Sequence, residues 1–350
     1  MYYVNSHDTR APLPRSRGPI SSRVLGSLAD DMPLLAAAEV RERAEAVPDP
    51  LSDEDLHLAL WVLYELHYRG VTGVDDAREW DADLLRDRRE LEIVFESALR
   101  EAVSEKVTAA ETSSDDIVEQ IRYLIAGDEA PDLCRFVQRE ATVEQFRELM
   151  VQRSLYTLRE SDPSAFVLPR VDGPVKVALA ELLYDEYGTG RPERLHATLF
   201  ARAMAGCGLD PTYGAHVGQA SGETLAANNA ASYFGLHRRL RGAALGNLAA
   251  FEATSSLPCR KVAAGIKRLE LDDVVWDYFD EHVEADAVHE EVALRSICAR
   301  AVADEPTLRA DVLLGAAASL MLEGAAGATL LRSWQRDRPS TDAVDDRLPA

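Results

Sequence analysis

The sequence of 350 residues has few cysteines and few basic side chains for its length. Its four cysteines are scattered without a CxxC pair, which argues against an iron–sulfur cluster or a zinc ribbon and is typical of a reducing cytoplasm. The chain has 38 Lys and Arg residues against 60 Asp and Glu residues, for a formal net charge of −22. Because nucleic acids and anionic membranes bind basic patches, we expect neither as a partner.

Long apolar runs and strand patterns are also missing. No run approaches the roughly 20 residues that a membrane span needs, and the N-terminus lacks the apolar segment of a signal peptide. These absences predict a cytoplasmic protein without a membrane partner. Neither alternating strand patterns nor repeats are found, whereas apolar positions with helical spacing cover most of the chain. The sequence therefore predicts an all-α protein.

Proline and glycine divide the predicted helices into regions. An irregular N-terminal arm is predicted over residues 1–33, which are rich in proline and arginine, and an N-terminal helical region over 34–140. The main helical domain is predicted over 141–335, and a disordered tail over 336–350. Within the main domain a long helix is predicted over 229–254, closed before Pro258, because proline lacks the amide hydrogen that continues a helix.

A second long helix, predicted over 272–302, carries polar residues on an apolar face. One stripe with helical spacing contains Val275, Phe279, His282, Asp286, His289, Ala293 and Ile297. Burying His282, Asp286 and His289 together is costly unless something compensates them, and a metal ion would do so. A purely structural role for the three side chains is the alternative.

Four further side chains on other predicted helices are candidates: Glu186, His196 and Glu252 lie on apolar faces, and Glu160 closes the helix that carries Tyr156. Taken singly, each also fits a residue that reaches solvent. Together with the three on the 272–302 helix they make four carboxylates and three imidazoles, a donor set suited to iron or manganese.

Two other groups resemble sites but have simpler explanations. Glu65 and His67 are two positions apart and do not face each other on a helix, so structural roles are predicted for them. The basic segment Gly235–Gly242 is predicted to be a solvated helix turn. The alternative for this segment places His237 or a neighbouring arginine beside a substrate carboxylate.

The ordered set of seven side chains resembles the ligand set of the haem-oxygenase-like di-iron oxidases, whose last three ligands form a His-x-x-x-Asp-x-x-His motif. The ten-residue step from Glu186 to His196 and the thirty-residue step from Glu252 to His282 are similar to the N-oxygenase branch. Neighbouring segments such as Asp185-Glu-Tyr-Gly188 are similar to the proteins called iron-containing redox enzymes. The resemblance covers about residues 142–300.

The resemblance implies a haem-oxygenase-like helical bundle in residues 141–335 that binds two Fe ions and uses O₂ as co-substrate. It implies that Glu186 bridges the ions or lies between them, and that Glu160 is the extra carboxylate of N-oxygenating members. A small-molecule substrate and an external electron donor are expected, because the chain carries no flavin or iron–sulfur motif. The sequence leaves a homodimer open.

The implied activity is that of a non-haem di-iron oxidase or oxygenase. Glu160 favours N-oxygenation of an amine or an amino-acid-derived compound. The alternatives are a desaturase or C–C-cleaving oxidase acting on a fatty or amino acid, a haem-handling protein on the same fold, and a non-enzymatic helical metal-binding scaffold.

Overall fold

The computed structural model describes residues 9–30 and 37–336, except for the side chains of residues 30, 37, 38 and 283–287. Within these ranges the protein is built from helices and has no strand, and an isolated bridge joins Ala11 to Val71. The predicted all-α class is therefore confirmed.

The helices follow one another with short connections. The first six are α1 (Pro19–Asp30), α2 (Ala37–Glu45), α3 (Glu54–Glu65), α4 (Ala82–Ser113), α5 (Ile117–Ala126) and α6 (Leu133–Arg139). The next six are α7 (Val143–Thr157), α8 (Asp162–Ala165), α9 (Gly173–Glu186), α10 (His196–Gly206), α11 (Gly222–Leu236) and α12 (Arg241–Arg268). The last three are α13 (Asp273–Glu291), α14 (Arg300–Asp304) and α15 (Arg309–Arg336).

The predicted irregular arm is wrong from Pro19 onward, where α1 begins. The carboxylate of Asp55 accepts hydrogen bonds from the backbone amides of Ile20 and Ser21, at 2.8 and 2.7 Å. The first amides of a helix have no partner within the helix, so this distant side chain caps α1. A cap supplied from another helix leaves no local signal in the sequence. The predicted tail from residue 337 lies outside the described residues.

The predicted end of the 229–254 helix before Pro258 is also wrong, because α12 passes through Pro258 to Arg268. The Thr254 hydroxyl donates to the carbonyl of Ala250 at 2.7 Å, and the Ser255 hydroxyl donates to the carbonyl of Glu252 at 3.2 Å. The turn before the proline thus keeps side-chain hydrogen bonds. Packing of α12 against α6, α13 and α15 holds the helix on both sides of Pro258.

The helix predicted over 272–302 is interrupted by a π-helix, Val292–Ala299, between α13 and α14. Apolar pairs four positions apart, Ala293/Leu294 and Ile297/Cys298, are all fully buried in it. A π-turn is wider than an α-turn and keeps both members of each pair facing the core. The interruption begins three residues after His289, at the end of the ligand-bearing helix.

Helix α15 packs against α4, α11 and α12. No apolar run long enough to cross a membrane was expected from the sequence. By length and composition, however, the helical segment Pro306–Arg336 could cross one. More than half of its apolar window is buried against the rest of the protein. This burial is typical of a core helix.

The apolar core is continuous from α1 to α15. Helix α3 is buried over most of its length and packs between α1, α4 and α11. Helix α12 lies against α13 and α15, and α13 also contacts α10. Helix α6 of the N-terminal region packs against α12, which carries Glu252, whereas α11, on which α3 packs, carries no predicted ligand. The boundary predicted at residue 140 stays a prediction.

Candidate metal centre

Six of the seven predicted ligands are brought to one buried place, each only 3–6% exposed. They come from five parts of the fold: Glu160 in the turn after α7, Glu186 at the end of α9, His196 at the start of α10, Glu252 in α12, and His282 and His289 in α13. The backbone of Asp286 belongs to α13, but its side chain lies outside the described residues.

The six side chains form two groups of three. Glu160, His196 and His282 make the first group, and Glu186, Glu252 and His289 make the second. Within each group, one donor atom from every residue lies within 4.8 Å of the others. Two adjacent sets of nitrogen and oxygen donors are therefore available for two metal ions.

Glu186 connects the two groups, since each of its carboxylate oxygens faces one of them. Oε2 lies 2.8 Å from Nδ1 of His196, and Oε1 lies 3.1 Å from Nδ1 of His289. Its position as the last residue of α9 lets the side chain reach between α10 and α13. A carboxylate in this position is suited to bridging two cations.

The orientation of His282 is set by the backbone of its own helix. Its Nδ1 lies 2.7 Å from the carbonyl oxygen of Tyr278, which can only accept, so Nδ1 carries the hydrogen. Nε2 is then left with its lone pair, 3.8 Å from Oε2 of Glu160. This tautomer presents His282 as a metal donor towards the first group.

His289 faces the second group through Nδ1, which is 3.1 Å from Glu186 and 3.6 Å from Glu252. Burial lowers the pKa of His289, but the two carboxylates outweigh burial and raise the pKa to about 11. Burial likewise raises the pKa of Glu186, while its contacts with His196 and His289 hold that pKa well below its ordinary value. The pocket therefore stabilises positive charge placed between these side chains.

Metal ions fit this arrangement. The Nδ1 atoms of His196 and His289 are buried and make no aligned hydrogen bond, although carboxylate oxygens lie at 2.8 and 3.1 Å. Buried polar atoms normally have an aligned partner, and a cation placed between nitrogen and oxygen would provide one. Imidazole and carboxylate donors together suit iron or manganese.

Three supporting side chains were not identified from the sequence. The Ser161 hydroxyl donates to Oε2 of Glu186 and the Tyr278 hydroxyl to Oε2 of Glu160, both at 3.4 Å. Asp185 lies with Oδ2 at 3.5 Å from Nε2 of His289. Tyr278 precedes His282 by one helical turn, so helical spacing was a signal that could have found it. Ser161 had no such signal.

The tyrosine Tyr156 borders the centre one turn before Glu160. Burial raises its pKa well above the ordinary value, and the carboxylates of Glu160, Glu252 and Glu186 raise it further. Its hydroxyl therefore stays protonated. The Tyr156 ring also packs at a tilt against Phe251, the neighbour of Glu252, with the ring centroids 4.8 Å apart.

The two other groups considered in the sequence are placed elsewhere. Nε2 of His237 lies 3.0 Å from Glu92, a residue of α4, so the contact it makes is with the N-terminal region. Glu65 and His67 do not act as a pair: His67 contacts Glu79 at 3.3 Å, and Glu65 is fully buried elsewhere.

The fold and the site together define a class: an all-α protein with a buried cluster of imidazoles and carboxylates suited to two metal ions. Residues 147–324, slightly more than half of the chain, match the family model described as iron-containing redox enzyme. The chain belongs to the iron-containing redox enzyme family and has its haem-oxygenase-like fold, which confirms the resemblance seen in the sequence.

The chain is also similar to a nitrosourea synthase from Streptomyces achromogenes subsp. streptozoticus. The two are 27% identical over 151 residues, which is 43% of this chain and 32% of the relative. The match thus spans about a third of the relative's length.

Proposed function

We propose that this protein is an O₂-activating non-haem di-iron oxygenase that acts on a small organic molecule, by N-oxygenation of an amine or an amino-acid-derived compound. The observation that carries the proposal is Glu186, whose two oxygens face one imidazole from each donor group. A single-metal site would not need a carboxylate between two complete sets of donors.

In this proposal one iron ion is held by Glu160, His196 and His282, and the other by Glu252 and His289, with Glu186 shared. Asp286 is proposed as a seventh ligand on the basis of the sequence. When bound, the two ions supply the reducing equivalents for the activation of O₂. The carboxylates offset the charge of the ions, and the imidazoles add neutral donors.

The chain's own apolar residues would exclude water from the reaction. Phe200 packs edge-on against Tyr278 at 5.0 Å, and Phe279 lies 6.3 Å from Phe146. Phe200 lies one helical turn after His196 on α10, and Phe279 lies three residues before His282 on α13. Exclusion of water protects an oxidising centre from side reactions and strengthens its electrostatic contacts.

The choice of N-oxygenation rests on the relative and on Glu160. The name nitrosourea synthase states a product with an N-nitroso group, in which nitrogen is more oxidised than in an amine. Glu160 supplies the carboxylate of the group that contains His196 and His282. We further propose an external electron donor and a cytoplasmic location, on the sequence arguments above.

Anaerobic loading with Fe(II), followed by exposure to O₂, tests the proposal. We expect about two tightly bound irons per chain and a transient visible absorption on mixing with O₂. Mass spectrometry of reactions with a library of amines and amino acids should then show products heavier by oxygen. Glu186→Ala should lose iron and the O₂ reaction, whereas Glu181→Ala, an exposed position on the same helix, should match the parent.

Three outcomes would contradict parts of the proposal. Products that have lost hydrogen or carbon would instead identify a desaturase or a C–C-cleaving oxidase. Iron binding without any reaction with O₂ would favour the metal-binding scaffold. Equal iron content in the parent and Glu186→Ala would contradict the proposed di-iron centre itself.

A further inference from the structure

An ion pair between Glu65 and Arg159 is almost completely buried, at 0% and 1% exposure, with Nε of Arg159 3.8 Å from Oε1 of Glu65. The Tyr213 hydroxyl donates to Oε1 of Glu65 at 2.5 Å, and Nη2 of Arg159 donates to the Ser232 hydroxyl at 2.8 Å. Taking two opposite charges out of water is costly, and their mutual attraction often does not repay that cost. A pair of this kind is weak evidence for added stability and calls for another role.

Arg159 is adjacent in sequence to Glu160, and both lie in a turn that follows α7. Helix α7 ends at Thr157, so Glu160 is not held by the helical backbone. The next residue, Ser161, has a φ of 71°. Residues other than glycine rarely adopt this left-handed conformation, because it brings Cβ too close to the following carbonyl oxygen. The surroundings must therefore hold the turn in place.

The segment Glu65–Arg69, at the end of α3, contacts the turn on both sides of Glu160. Before Glu160, Nη2 of Arg69 donates to the carbonyl of Leu158 at 2.9 Å. After Glu160, the same guanidinium lies 3.6 Å from the carboxylate of Asp162. Arg69 thus contacts the turn before and after Glu160, at Leu158 and Asp162.

Aromatic side chains in and around the segment make cation–π contacts with Arg159 and Arg69. The ring of Tyr68 lies under the Arg159 guanidinium at 4.3 Å, and the Arg69 guanidinium lies over the ring of Tyr213 at 4.7 Å. Cation–π contacts of this kind are strongest where water is excluded. The Arg159 side chain thus contacts Glu65, Tyr68 and Ser232, whereas the side chain of the next residue, Glu160, belongs to the metal centre.

We propose that the segment Glu65–Arg69 is a positioning element of the metal centre, which fixes Glu160 for binding one of the two metal ions. The inference rests on the proposed function. The segment lies outside residues 147–324, which match the family. The N-terminal helical region therefore takes part in forming the iron site, and a chain that keeps only the matched residues lacks the support for Glu160.

Metal titration of the full chain tests this role without relying on catalysis. Metal-free protein is titrated anaerobically with Co(II), whose visible absorption reports each bound ion. We expect two steps in the parent. In Glu65→Gln one step should be about 10- to 100-fold weaker, the usual effect of removing support from a ligand, while the other should change little.

The matched control is Glu92→Gln. Glu92 is also a buried carboxylate of the N-terminal region, paired with Arg88 at 3.2 Å and with His237 at 3.0 Å, and these contacts do not involve the turn. The Glu92→Gln protein should bind Co(II) in the same two steps as the parent. If Glu65→Gln does not fold, Tyr213→Phe removes only the hydrogen bond to Glu65 and should weaken the same step to a smaller extent.

A double-mutant cycle separates positioning from general destabilisation. In a Glu160→Gln background, Glu65→Gln should have no further effect on Co(II) affinity, because its action passes through Glu160. An equal loss with and without Glu160 would overturn the inference, as would unchanged titration of Glu65→Gln. A parent that binds no Co(II) or Fe(II) would instead contradict the proposed function.

Discussion

At the residue scale, the two ring nitrogens of His289 face different surroundings: one faces the second donor group, and the other faces a side chain near the protein surface. Nδ1 faces Glu186 and Glu252, whereas Nε2 faces Asp185, whose side chain is 42% exposed. A metal-ligating histidine commonly donates its other N–H to a carboxylate, which fixes the tautomer and the ring orientation. Asp185 thus has the position of an orienting partner.

Replacing Asp185 should weaken metal binding at the group that contains His289. We expect Asp185→Ala to lower the affinity for one metal ion about tenfold, because the imidazole loses its orienting acceptor. Asp185→Asn keeps an acceptor oxygen and should lose less. The measurement is competition for Co(II) against a chromophoric chelator.

The control for Asp185 is Asp277→Ala, which removes an exposed carboxylate from α13 itself. It should bind both ions as the parent does. An Asp185→Ala protein with parental affinity for both ions would show that the 3.5 Å contact with His289 has no orienting role.

At the element scale, the position of Glu252 depends on the close approach of α12 to α15. A Cβ added at Gly246 would lie 1.9 Å from the carbonyl oxygen of Val312, and one added at Gly315 would lie 1.9 Å from the carbonyl oxygen of Ala243. The two backbones therefore touch at two reciprocal points. Gly246 is six residues before Glu252 on the same helix.

We expect Gly246→Ala to lower the free energy of unfolding by about 1–3 kcal/mol, because the added methyl group meets backbone atoms that cannot rotate away. Thermal unfolding followed by circular dichroism measures the loss. Gly218→Ala is the control, since nothing lies within 4 Å of a Cβ at Gly218. Parental stability of Gly246→Ala would mean that the helices separate at little cost.

At the scale of the whole molecule, the N-terminal helices and the ligand-bearing helices share one core. His57 of α3 is fully buried and meets Asn229 of α11, whose amide donates to the His57 carbonyl at 2.8 Å. The His57 ring has Nε2 2.9 Å from the carbonyl of Pro50 and Nδ1 3.2 Å from the Asn229 amide nitrogen. These partners specify a neutral ring with its hydrogen on Nε2.

The stability of the whole protein should consequently fall at acid pH. Burial lowers the pKa of His57 from 6.5 to about 4, against the opposing effects of Pro50 and Asp49. Below pH 6.5 the unfolded chain binds a proton that the folded protein takes up only near pH 4. The contribution is present above pH 6.5 and is lost as the pH falls through about 4, at a cost of about 3 kcal/mol.

Urea unfolding at a series of pH values measures this loss. His57→Gln should be less stable than the parent at pH 7, yet its stability should fall by about 3 kcal/mol less between pH 7 and pH 4. Parallel curves for the two proteins would show that another group controls the acid transition.

Much of the candidate site could be predicted because its clues are local. His282 and His289 are seven residues apart on an apolar stripe, and helical geometry alone places them on one face. Glu186 and Glu252 were found because each follows leucines on an apolar helix face, and Glu160 because it closes a predicted helix. Glu65 was correctly predicted not to act as a pair with His67, but its pairing with Arg159 was not predicted, because the two residues are 94 positions apart and neither shows a distinctive pattern.

The departures from the predicted helices share a physical cause. Helix α1 forms because Asp55 caps it, α12 passes Pro258 because neighbouring helices hold it, and the π-helix after α13 follows the demands of the core. Local propensity is a weak term when tertiary contacts oppose it. Each difference arises where a contact from another element supplies more free energy than the local rule.

The sequence by itself determined the all-α class, the types of donor atom and the spacing that relates the chain to its family, because these depend on residues a few positions apart. Only the tertiary structure decided which donors share a group, that Glu186 faces both groups, and that Glu65–Arg69 holds the turn carrying Glu160. Those relations join residues on different helices, and they exist only once the packing of the helices has set the distances between them.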